Sequence, residues 1–531
     1  MAICRVRRAR RWRAPGSLRD GNAGDARTAR ARVGSLKEYE GTSGPSNSVH
    51  ITVKRLTLIQ QNDTHAHVEP HWELRWRDGE PEAWRAGGFA RIRAIVDQIR
   101  SETNGACVHV DCGDAIHGTG PAQWTEGAVI VPALNALGVE LMTPGNWEFG
   151  FGPAVLRQRV RDLSFPFIAS NVTRADTGAL EFASTEIREV GSARVAFVGI
   201  TSPIVGRTMP QAFGAGLRFL DALDVLPRIV ADVRTRERPD LVVLISHYGF
   251  AQEVGIARVV DGIDVILGGH THDVLAEAVL VGGTIITQSG AHGSYLTRLD
   301  IEITNGRVSD FRHLLLPVVA DADVNPMVAR VVQETLRPHR AALDEVVGET
   351  AVLLHRGTVL EAPMDNLVTE AYLKATGAQV ALSHGWRYGT PIPPGPISSG
   401  DLWQMIPTNP ELFTVRLTGS ELRRMLEQSI ENTFSGDLLR QQGGYVMRFA
   451  GMRATVRLNN PPGTRVQRVE IADASADPTR EYTVVAAGEG SMQQGEGRTI
   501  TGVRAIDSLR AYLQANRPAH TPMTHRGLIA V

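Results

Sequence analysis

The chain has 531 residues, of which 43% are hydrophobic and 21% are charged, and its formal net charge is −1. This composition excludes wholesale disorder, and the near-zero charge gives no reason to expect a membrane or a nucleic acid as partner. Three cysteines are too few for a disulfide framework or a cysteine-rich zinc site, and no apolar run approaches the ~18 residues of a membrane span.

Residues 1–50 are predicted to form an arginine-rich disordered tail, because they lack apolar periodicity and are rich in Arg, Ala, Gly and Ser. The pairs Arg7-Arg8 and Arg10-Arg11 suggest a twin-arginine export signal. However, Ala14-Pro15-Gly16-Ser17 stands where such a signal needs an apolar stretch. We therefore expect a cytoplasmic protein, or a periplasmic one if translation starts at another codon.

Residues 55–320 are predicted to form a layered α/β domain. Short β-branched runs alternate there with helical patterns, and continuous apolar runs of this kind are typical of strands buried on both faces. Helices are expected at Phe89–Arg100 and Val225–Arg236, with Pro227 in the first turn of the second. The expected strands are Leu56–Gln60, Val108–Asp111, Phe165–Ala169, Val195–Thr201, Leu241–His247, Val265–Gly269 and Thr284–Gln288.

Residues 322–346 are predicted to form a linker helix that Pro338 kinks or splits, and residues 347–531 a second domain of α+β type. This second domain is expected to contain helices at Leu367–Thr376 and Ser420–Asn432 and several short strands. At roughly 100–200 residues per domain, a chain of this length has room for two to four such units.

Polar side chains with the chemistry of metal ligands follow several predicted strands of the first domain. Asp63-x-His65 comes directly after the first strand, where alternate residues point to the same side. Because open α/β sheets place their sites at the carboxyl ends of strands, these groups are expected to lie together. Asp111 and Glu148, beside them, are interpreted as groups that orient the ligands. The proposed ligands are Asp63, His65, Asp114, Asn146, His247, His270 and His272.

Seven ligands with one shared carboxylate suit two divalent ions, which can clamp an in-line displacement at phosphorus or sulfur. The ligands stand in motifs similar to those of the calcineurin-like metallophosphoesterases, and the second domain resembles the 5'-nucleotidase C-terminal domain. The motifs are Asn62-Asp63-x-His65, Gly113-Asp114, Gly145-Asn146, His247 and Gly269-His270-Thr271-His272. This resemblance to the 5'-nucleotidase superfamily covers about residues 55–515.

The resemblance implies a four-layer α/β/β/α sandwich followed by an α+β domain. It implies that a hydroxide bridging two ions attacks a small phosphate ester or anhydride, including nucleotide-like compounds, and the ligand chemistry suits Mn, Zn or Fe. The implied sets are Asp63, His65 and His272 on one ion and Asn146, His247 and His270 on the other, with Asp114 bridging.

Arg387, in Gly385-Trp386-Arg387-Tyr388-Gly389, is the expected anion clamp, because a planar guanidinium can bind two oxygens of a phosphate or sulfonate. Asp114 and Asn146 are the other expected catalytic residues. Trp386, Tyr445 and Trp147 are expected to line the substrate pocket together with Arg387.

One departure from the family pattern concerns the leaving group. The family motif is Gly-Asn-His-Glu followed two residues later by Asp, and its His-Asp dyad protonates the leaving group. Trp147 and Gly150 stand at the dyad positions here. General-acid help is typically worth about 10²–10⁴ in rate, so we expect substrates whose leaving groups depart as stable anions, or a substitute acid. The candidate substitutes are His67, His117 and His384.

A second departure concerns the base, which nucleotidases stack between two aromatic rings. Tyr445 matches the first ring, but Ala486-Ala487-Gly488-Glu489-Gly490 contains no second one. Both departures resemble the SoxB-type thiosulfohydrolases, as does Gln441-Gln442-Gly443-Gly444. The alternative hypotheses are a thiosulfohydrolase that releases sulfate from a cysteine S-thiosulfonate on a sulfur-carrier protein, and a metal-binding protein without catalysis.

Overall fold

The structure is a computed structural model, and it describes residues 52–488, 495–519 and 527–531. The tail predicted at residues 1–50 lies outside these described residues. No helix within the three described stretches combines the length and the apolar character that crossing a bilayer requires.

The N-terminal part of the fold is built on two mixed β-sheets. The first sheet has the strand order Arg307–Pro317, Tyr295–Thr304, Val53–Gln61, Cys107–Asp111 and Leu141–Met142. The second sheet has the order Val279–Val281, Thr284–Thr287, Val265–Leu267, Leu241–His247, Ala193–Thr201 and Thr185–Val190. Neighbouring strands that precede the proposed ligands run parallel in each sheet, so their carboxyl ends meet at one edge.

Alternate residues of the strands bury opposite faces of each sheet. Leu58 faces the core between the two sheets, whereas its neighbour Ile59 faces the helices outside the first sheet. In the second sheet, Val243 faces the same central core and Leu244 faces the helices on the other side. The fold is therefore the four-layer α/β/β/α sandwich that the family resemblance implied.

Helices cover both outer faces of the sandwich. Those packed outside the first sheet are Phe89–Glu102, Val131–Leu137, Pro153–Asp162 and Pro326–Leu336, and those outside the second are Ala222–Arg236 and Phe250–Val259. The segment predicted as a linker helix is split at Pro338 into Pro326–Leu336, a 3₁₀ turn and Arg340–Leu343. Its first part is built into the sandwich, because Val328, Val332 and Leu336 are buried in the core outside the first sheet.

Several predicted elements differ from the structure in their bounds, and two of them need correction. Phe165–Ala169 forms only isolated bridges, from Phe167 and Ile168, so this apolar run is buried without joining a ladder. The helix predicted from Val225 begins at Ala222, which places Pro227 inside the helix rather than in its first turn. The earlier start has a distant cause, since the Ala222 N–H donates to the Tyr248 hydroxyl at 2.8 Å.

The C-terminal part of the described chain is of α+β type. Its five-stranded sheet has the order Tyr445–Ala450, Val380–Gly385, Glu481–Ala487, Glu411–Thr418 and Glu496–Arg504, and a four-stranded sheet contains Ala474–Ser475, Val466–Ile471, Met452–Val456 and Leu528–Ala530. The helices are Pro363–Thr376, Ser399–Met405, Gly419–Phe434 and Ala505–Ala515. The helix Gly419–Phe434 begins at a capping box, in which Thr418 and Glu421 satisfy each other's backbone N–H.

Three smaller strand pairs complete the sheets of the described residues. They are the hairpin His71–Arg77 with Glu80–Ala86, the pair Val172–Arg174 with Leu217–Phe219, and the pair Val346–Thr350 with Gly395–Ser398. The hairpin matters for the site, because it packs beside the loop that carries Asp63.

Candidate metal centre

The structure brings Asp63, His65 and His272 together at the carboxyl edge of the sheets. Asp63 Oδ1 lies 3.2 Å from His272 Nε2, and His65 Nε2 lies 3.1 Å from the same nitrogen. The Nδ1–H of His65 donates to the His117 carbonyl at 3.3 Å, which leaves Nε2 with its lone pair. Ligand atoms about 2.0–2.2 Å from a shared cation are spaced in this way.

A second group consists of Asp114, His247 and His270. Asp114 Oδ2 lies 3.3 Å from His247 Nε2, and the other ring nitrogen of His247 donates to the Cys112 carbonyl at 2.7 Å. The two groups are adjacent, because Asp114 Oδ2 also lies 3.9 Å from His65 Nε2. Asp114 is therefore within reach of cations held by either group.

Buried atoms without partners show that these residues fit divalent cations. Asp63 Oδ1, Asn146 Oδ1 and His247 Nε2 are buried and have no hydrogen-bond partner among the described residues. A buried polar atom left unpaired costs about 1–3 kcal/mol, which coordination of a cation would offset. Asn146 lies on the loop whose next residue, Trp147, donates its N–H to Asp114 Oδ1 at 2.8 Å.

The ligand residues have an unusual backbone. Asp63, His65, Asp114, His270 and His272 have φ values of 51°, 46°, 59°, 74° and 58°, the left-handed region that residues with a Cβ rarely adopt. Backbone hydrogen bonds between the loops hold this conformation. The N–H of Asp63 donates to the Gly113 carbonyl and that of His65 to the Asp114 carbonyl, both at 2.8 Å.

Glu148 ties the two central ligand loops together. Its buried carboxylate accepts the backbone N–H groups of Asp114, Ala115, Ile116 and Gly145 at 2.7, 2.7, 3.3 and 2.6 Å. Burial, with the nearby charge of Asp114, raises the pKa of Glu148 to about 7. The carboxylate thus fixes the loops on which Asp114 and Asn146 stand.

The C-terminal domain completes the surroundings of His270. Arg387 donates to the His270 carbonyl, and the Gln442 carbonyl lies 3.2 Å from His270 Nε2. That nitrogen must be the donor, so His270 Nδ1 carries the lone pair that a cation would use. Gly443 packs so closely on this ring that a Cβ there would lie 2.8 Å from His270 Cδ2.

Trp147, at the first dyad position, forms part of an aromatic wall. Its ring stacks on His117, with centroids 4.3 Å apart and planes 8° apart, and meets the ring of Tyr388 edge-on at 5.6 Å. Tyr388 also lies 5.7 Å from the ring of His65. Burial lowers the pKa of His117 to about 3, so this imidazole is neutral.

The other expected substrate residues divide into two sets. Arg387 lies at the metal edge, with its guanidinium 6.0 Å from the ring of Tyr445, and its Nε has no partner among the described residues. Trp386 instead packs against the core of the C-terminal domain, and the exposed His384 lies 5.5 Å from its ring. His67 is held by the Thr64 carbonyl and by Gln404.

Sequence reasoning missed Tyr388 and Gln442 as residues of the site. Tyr388 follows the expected anion clamp Arg387, and Gln442 stands in the run Gln441–Gly444 that resembles the SoxB-type enzymes, but no role was predicted for either residue. Their roles depend on how the C-terminal domain lies against the sandwich.

Comparison with known families decides the identity of the two units. The family model for calcineurin-like phosphoesterases matches residues 56–274, and the model for the 5'-nucleotidase C-terminal domain matches residues 346–498. The chain therefore carries a calcineurin-like phosphoesterase domain followed by a 5'-nucleotidase C-terminal domain. It is therefore a hydrolase of a metal-dependent family, with clusters of metal-type ligands where the metallophosphoesterase domain predicts them.

Individual relatives of this phosphoesterase have low but extensive similarity. It is 26% identical to the trifunctional nucleotide phosphoesterase YfkN of Bacillus subtilis, over 80% of this chain and 30% of YfkN. It is 23% identical to the 5'-nucleotidase of Vibrio cholerae, over 87% of this chain and 91% of that protein. The chain thus spans less than a third of the length of YfkN and most of the Vibrio cholerae protein.

Solved structures match the fold of this phosphoesterase closely. The sulfate thiohydrolase SoxB of Thermus thermophilus superposes with a TM-score of 0.84 and 26% identity, covering 90% of this chain and 96% of SoxB. A 5'-nucleotidase precursor of Thermus thermophilus superposes with a TM-score of 0.78 and 25% identity, covering 90% of this chain and 99% of that one.

Proposed function

We propose that this protein is a dinuclear-metal hydrolase that cleaves small phosphate esters or anhydrides. The observation that carries the proposal is the meeting of two ligand groups at one carboxyl edge, with Asp114 in reach of both. Bound ions at such a centre supply an activated water and neutralise charge on the reacting group. The ions would be held by Asp63, His65 and His272 and by Asn146, His247 and His270, with Asp114 shared between them.

Arg387 binds and orients the substrate in this proposal. It extends from the C-terminal domain to the carbonyl of His270, and its unpartnered Nε leaves part of the planar donor fork for oxygens of the substrate. Tyr388 and Trp147 form the aromatic wall beside His65 and would exclude water from that side of the site. Substrate binding therefore needs both domains.

The leaving group is expected to depart without a proton from the protein. Trp147 has no side-chain acid, and Gly150, at the second dyad position, has no side chain at all. An anhydride or an aryl ester suits such a site, because its leaving group is already a stable anion. An alkyl phosphate such as a nucleoside monophosphate is expected to react more slowly.

A second candidate function is hydrolysis of a cysteine S-thiosulfonate. Two observations favour it: the structural similarity to the Thermus thermophilus sulfate thiohydrolase SoxB, and the replacement of both dyad positions by Trp147 and Gly150. Water would add its oxygen to the sulfonate sulfur, the sulfur–sulfur bond would break, sulfate and a cysteine persulfide anion would leave, and the two protons of the water would pass to solvent. A persulfide needs no general acid.

The test is a panel of three leaving groups with the purified, metal-analysed protein. AMP offers an alcohol, ADP an anhydride and a cysteine S-thiosulfonate peptide a persulfide, each with Mn²⁺ or Zn²⁺ added. The proposal expects the anhydride to react fastest among the phosphates, and Asp63→Asn to abolish that reaction. Sulfate release without phosphate release would favour the second function. Bound metal with no hydrolysis of any of the three substrates would favour the remaining hypothesis, a metal-binding protein without catalysis.

A further inference from the structure

A third group of metal-type ligands lies beside the proposed centre, and the proposed function does not use it. His71, Glu73 and His292 offer ligand atoms that all lie within 4.8 Å of one another. Glu73 Oε2 lies 2.9 Å from His292 Nδ1 and 3.8 Å from His71 Nε2. The Ser294 hydroxyl lies 2.8 Å from the same carboxylate oxygen and 3.1 Å from His71 Nε2.

The local structure explains why these groups meet. His71 and Glu73 are two residues apart on one strand of the hairpin, so their side chains point to the same face. His292 precedes the strand Tyr295–Thr304, and its backbone N–H donates to the Asp63 carbonyl at 2.8 Å. The hairpin and the first ligand loop thus converge on one small polar space.

The buried carboxylate of Glu73 needs a compensating positive charge. Its side chain is only 14% exposed, and no lysine or arginine of the described residues lies within 4.0 Å of its carboxylate. Buried carboxylates are normally paired with a cationic side chain or bound to a metal ion. Within the part of the chain that the structure describes, the ion-pair partners of Glu73 are the two imidazoles, which are themselves common ligands of divalent metals.

We propose that His71, Glu73 and His292 form a separate site for one divalent transition-metal cation, with the Ser294 hydroxyl as an added oxygen ligand. Two imidazoles and one carboxylate are a ligand set that zinc and similar ions accept. The site adds a third cation to the two of the proposed function and does not depend on them. Its ligand His292 packs 5.8 Å from the ring of His272 and 6.0 Å from that of His65.

Such a cation would join the hairpin to the ligand loop. Because His292 is bonded to the Asp63 loop while His71 and Glu73 belong to the hairpin, one ion would hold both together. The expected role is positioning. The ion would hold the hairpin and His292 in place beside His65 and His272, and it would take no part in bond cleavage. Loss of the site is therefore expected to change metal content first.

The experiment counts zinc ions per chain in the full-length protein. Metal-depleted protein is equilibrated with buffered Zn²⁺, and bound zinc is measured by plasma mass spectrometry alongside a circular dichroism spectrum. The wild-type chain is expected to bind three ions, and Glu73→Gln and His71→Gln two each. Glu82→Gln is the matched control, because Glu82 lies on the facing strand of the same hairpin and pairs with Arg75. This control is expected to keep three ions.

The outcomes separate the two proposals. If wild type and Glu73→Gln bind the same number of ions, the third site is refuted and the cluster is a hydrogen-bond network alone. If wild type binds one ion and both hairpin variants bind none, the third site holds and the dinuclear centre fails. Glu73→Gln and His71→Gln each remove one ligand of the third site. If one of them does not fold, the zinc count of the other therefore still tests the site.

Discussion

Replacing Gly443 with alanine would press a methyl group onto the ring of His270. The added Cβ would lie 2.8 Å from Cδ2 and 2.9 Å from Nε2 of that ring, against 3.4 Å or more for ordinary contact. The ring must therefore retreat by about 0.6 Å. Such a shift breaks the alignment of the 3.2 Å hydrogen bond to the Gln442 carbonyl, and it would turn Nδ1 away from the ion that the proposed function places at His270.

The expected size of the effect comes from the role of that hydrogen bond. Partners that orient metal-ligating histidines typically contribute about 10–100-fold to metal affinity. Gly443→Ala is therefore expected to weaken binding of the ion held by His270 by about 10–100-fold, which corresponds to about 1.4–2.8 kcal/mol. The substitution is also expected to lower the free energy of unfolding by about 1–2 kcal/mol, because the backbone there is left-handed, with φ +76°.

Gly463→Ala separates the two effects. Gly463 has φ +81° and nothing within 4 Å of an added Cβ, so its alanine pays the backbone cost without touching His270. Zinc affinity is measured for each metal-depleted variant by competition with a chromophoric chelator, and the melting temperature by calorimetry. Both variants are expected to melt earlier, and only Gly443→Ala to bind zinc more weakly. Equal zinc affinities in the two variants would refute the link between this loop and His270.

Three further predictions concern catalysis and stability. Trp147→His combined with Gly150→Asp is expected to raise the initial rate of alkyl phosphate hydrolysis by about 10²-fold and to leave the rate for aryl phosphates little changed. The backbone at Gly150 has φ −59°, an angle that aspartate adopts without strain. Glu148→Gln is expected to lower the free energy of unfolding by about 1–3 kcal/mol in urea titrations, because an amide cannot accept all four N–H groups. Burial raises the pKa of Glu253 from 4.5 to about 8, so the unfolded chain ionises first and stability falls as pH rises between these values. Glu253→Gln is expected to flatten that decline in denaturation curves recorded from pH 5 to 8.

The α/β character of the first domain and the candidate ligands were predictable from local sequence signals, whereas the four-layer arrangement was implied by the family resemblance. Continuous apolar runs identified the buried strands, and Asp63-x-His65 followed one of them at a spacing that places both side chains on one side. The structure gathers six of the seven proposed ligands into two adjacent groups, and Asn146 stands on the loop whose next residue, Trp147, donates to Asp114. Their role as ligands stays a prediction until metal is measured.

Other features depended on contacts between distant segments and could not be predicted. The start of the helix at Ala222 is set by the hydroxyl of Tyr248, which its own pattern does not reveal. The run Phe165–Ala169 has the composition of a strand, but composition does not show whether a neighbouring strand is available to pair with it. Gln442 reaches His270 from 172 positions away, and only the docking of the two domains brings them together.

The left-handed backbone of five ligand residues has a practical consequence for engineering this enzyme. Glycine at any of these positions would relieve about 1–2 kcal/mol of backbone strain, so a screen for heat-resistant variants run in a chelating buffer would select glycine wherever the lost side chain contributes less than this. Each gain would delete a ligand, and the most robust clones would be the least able to hold metal. Selection should therefore be run with metal in excess, where occupancy of the centre contributes to survival on heating.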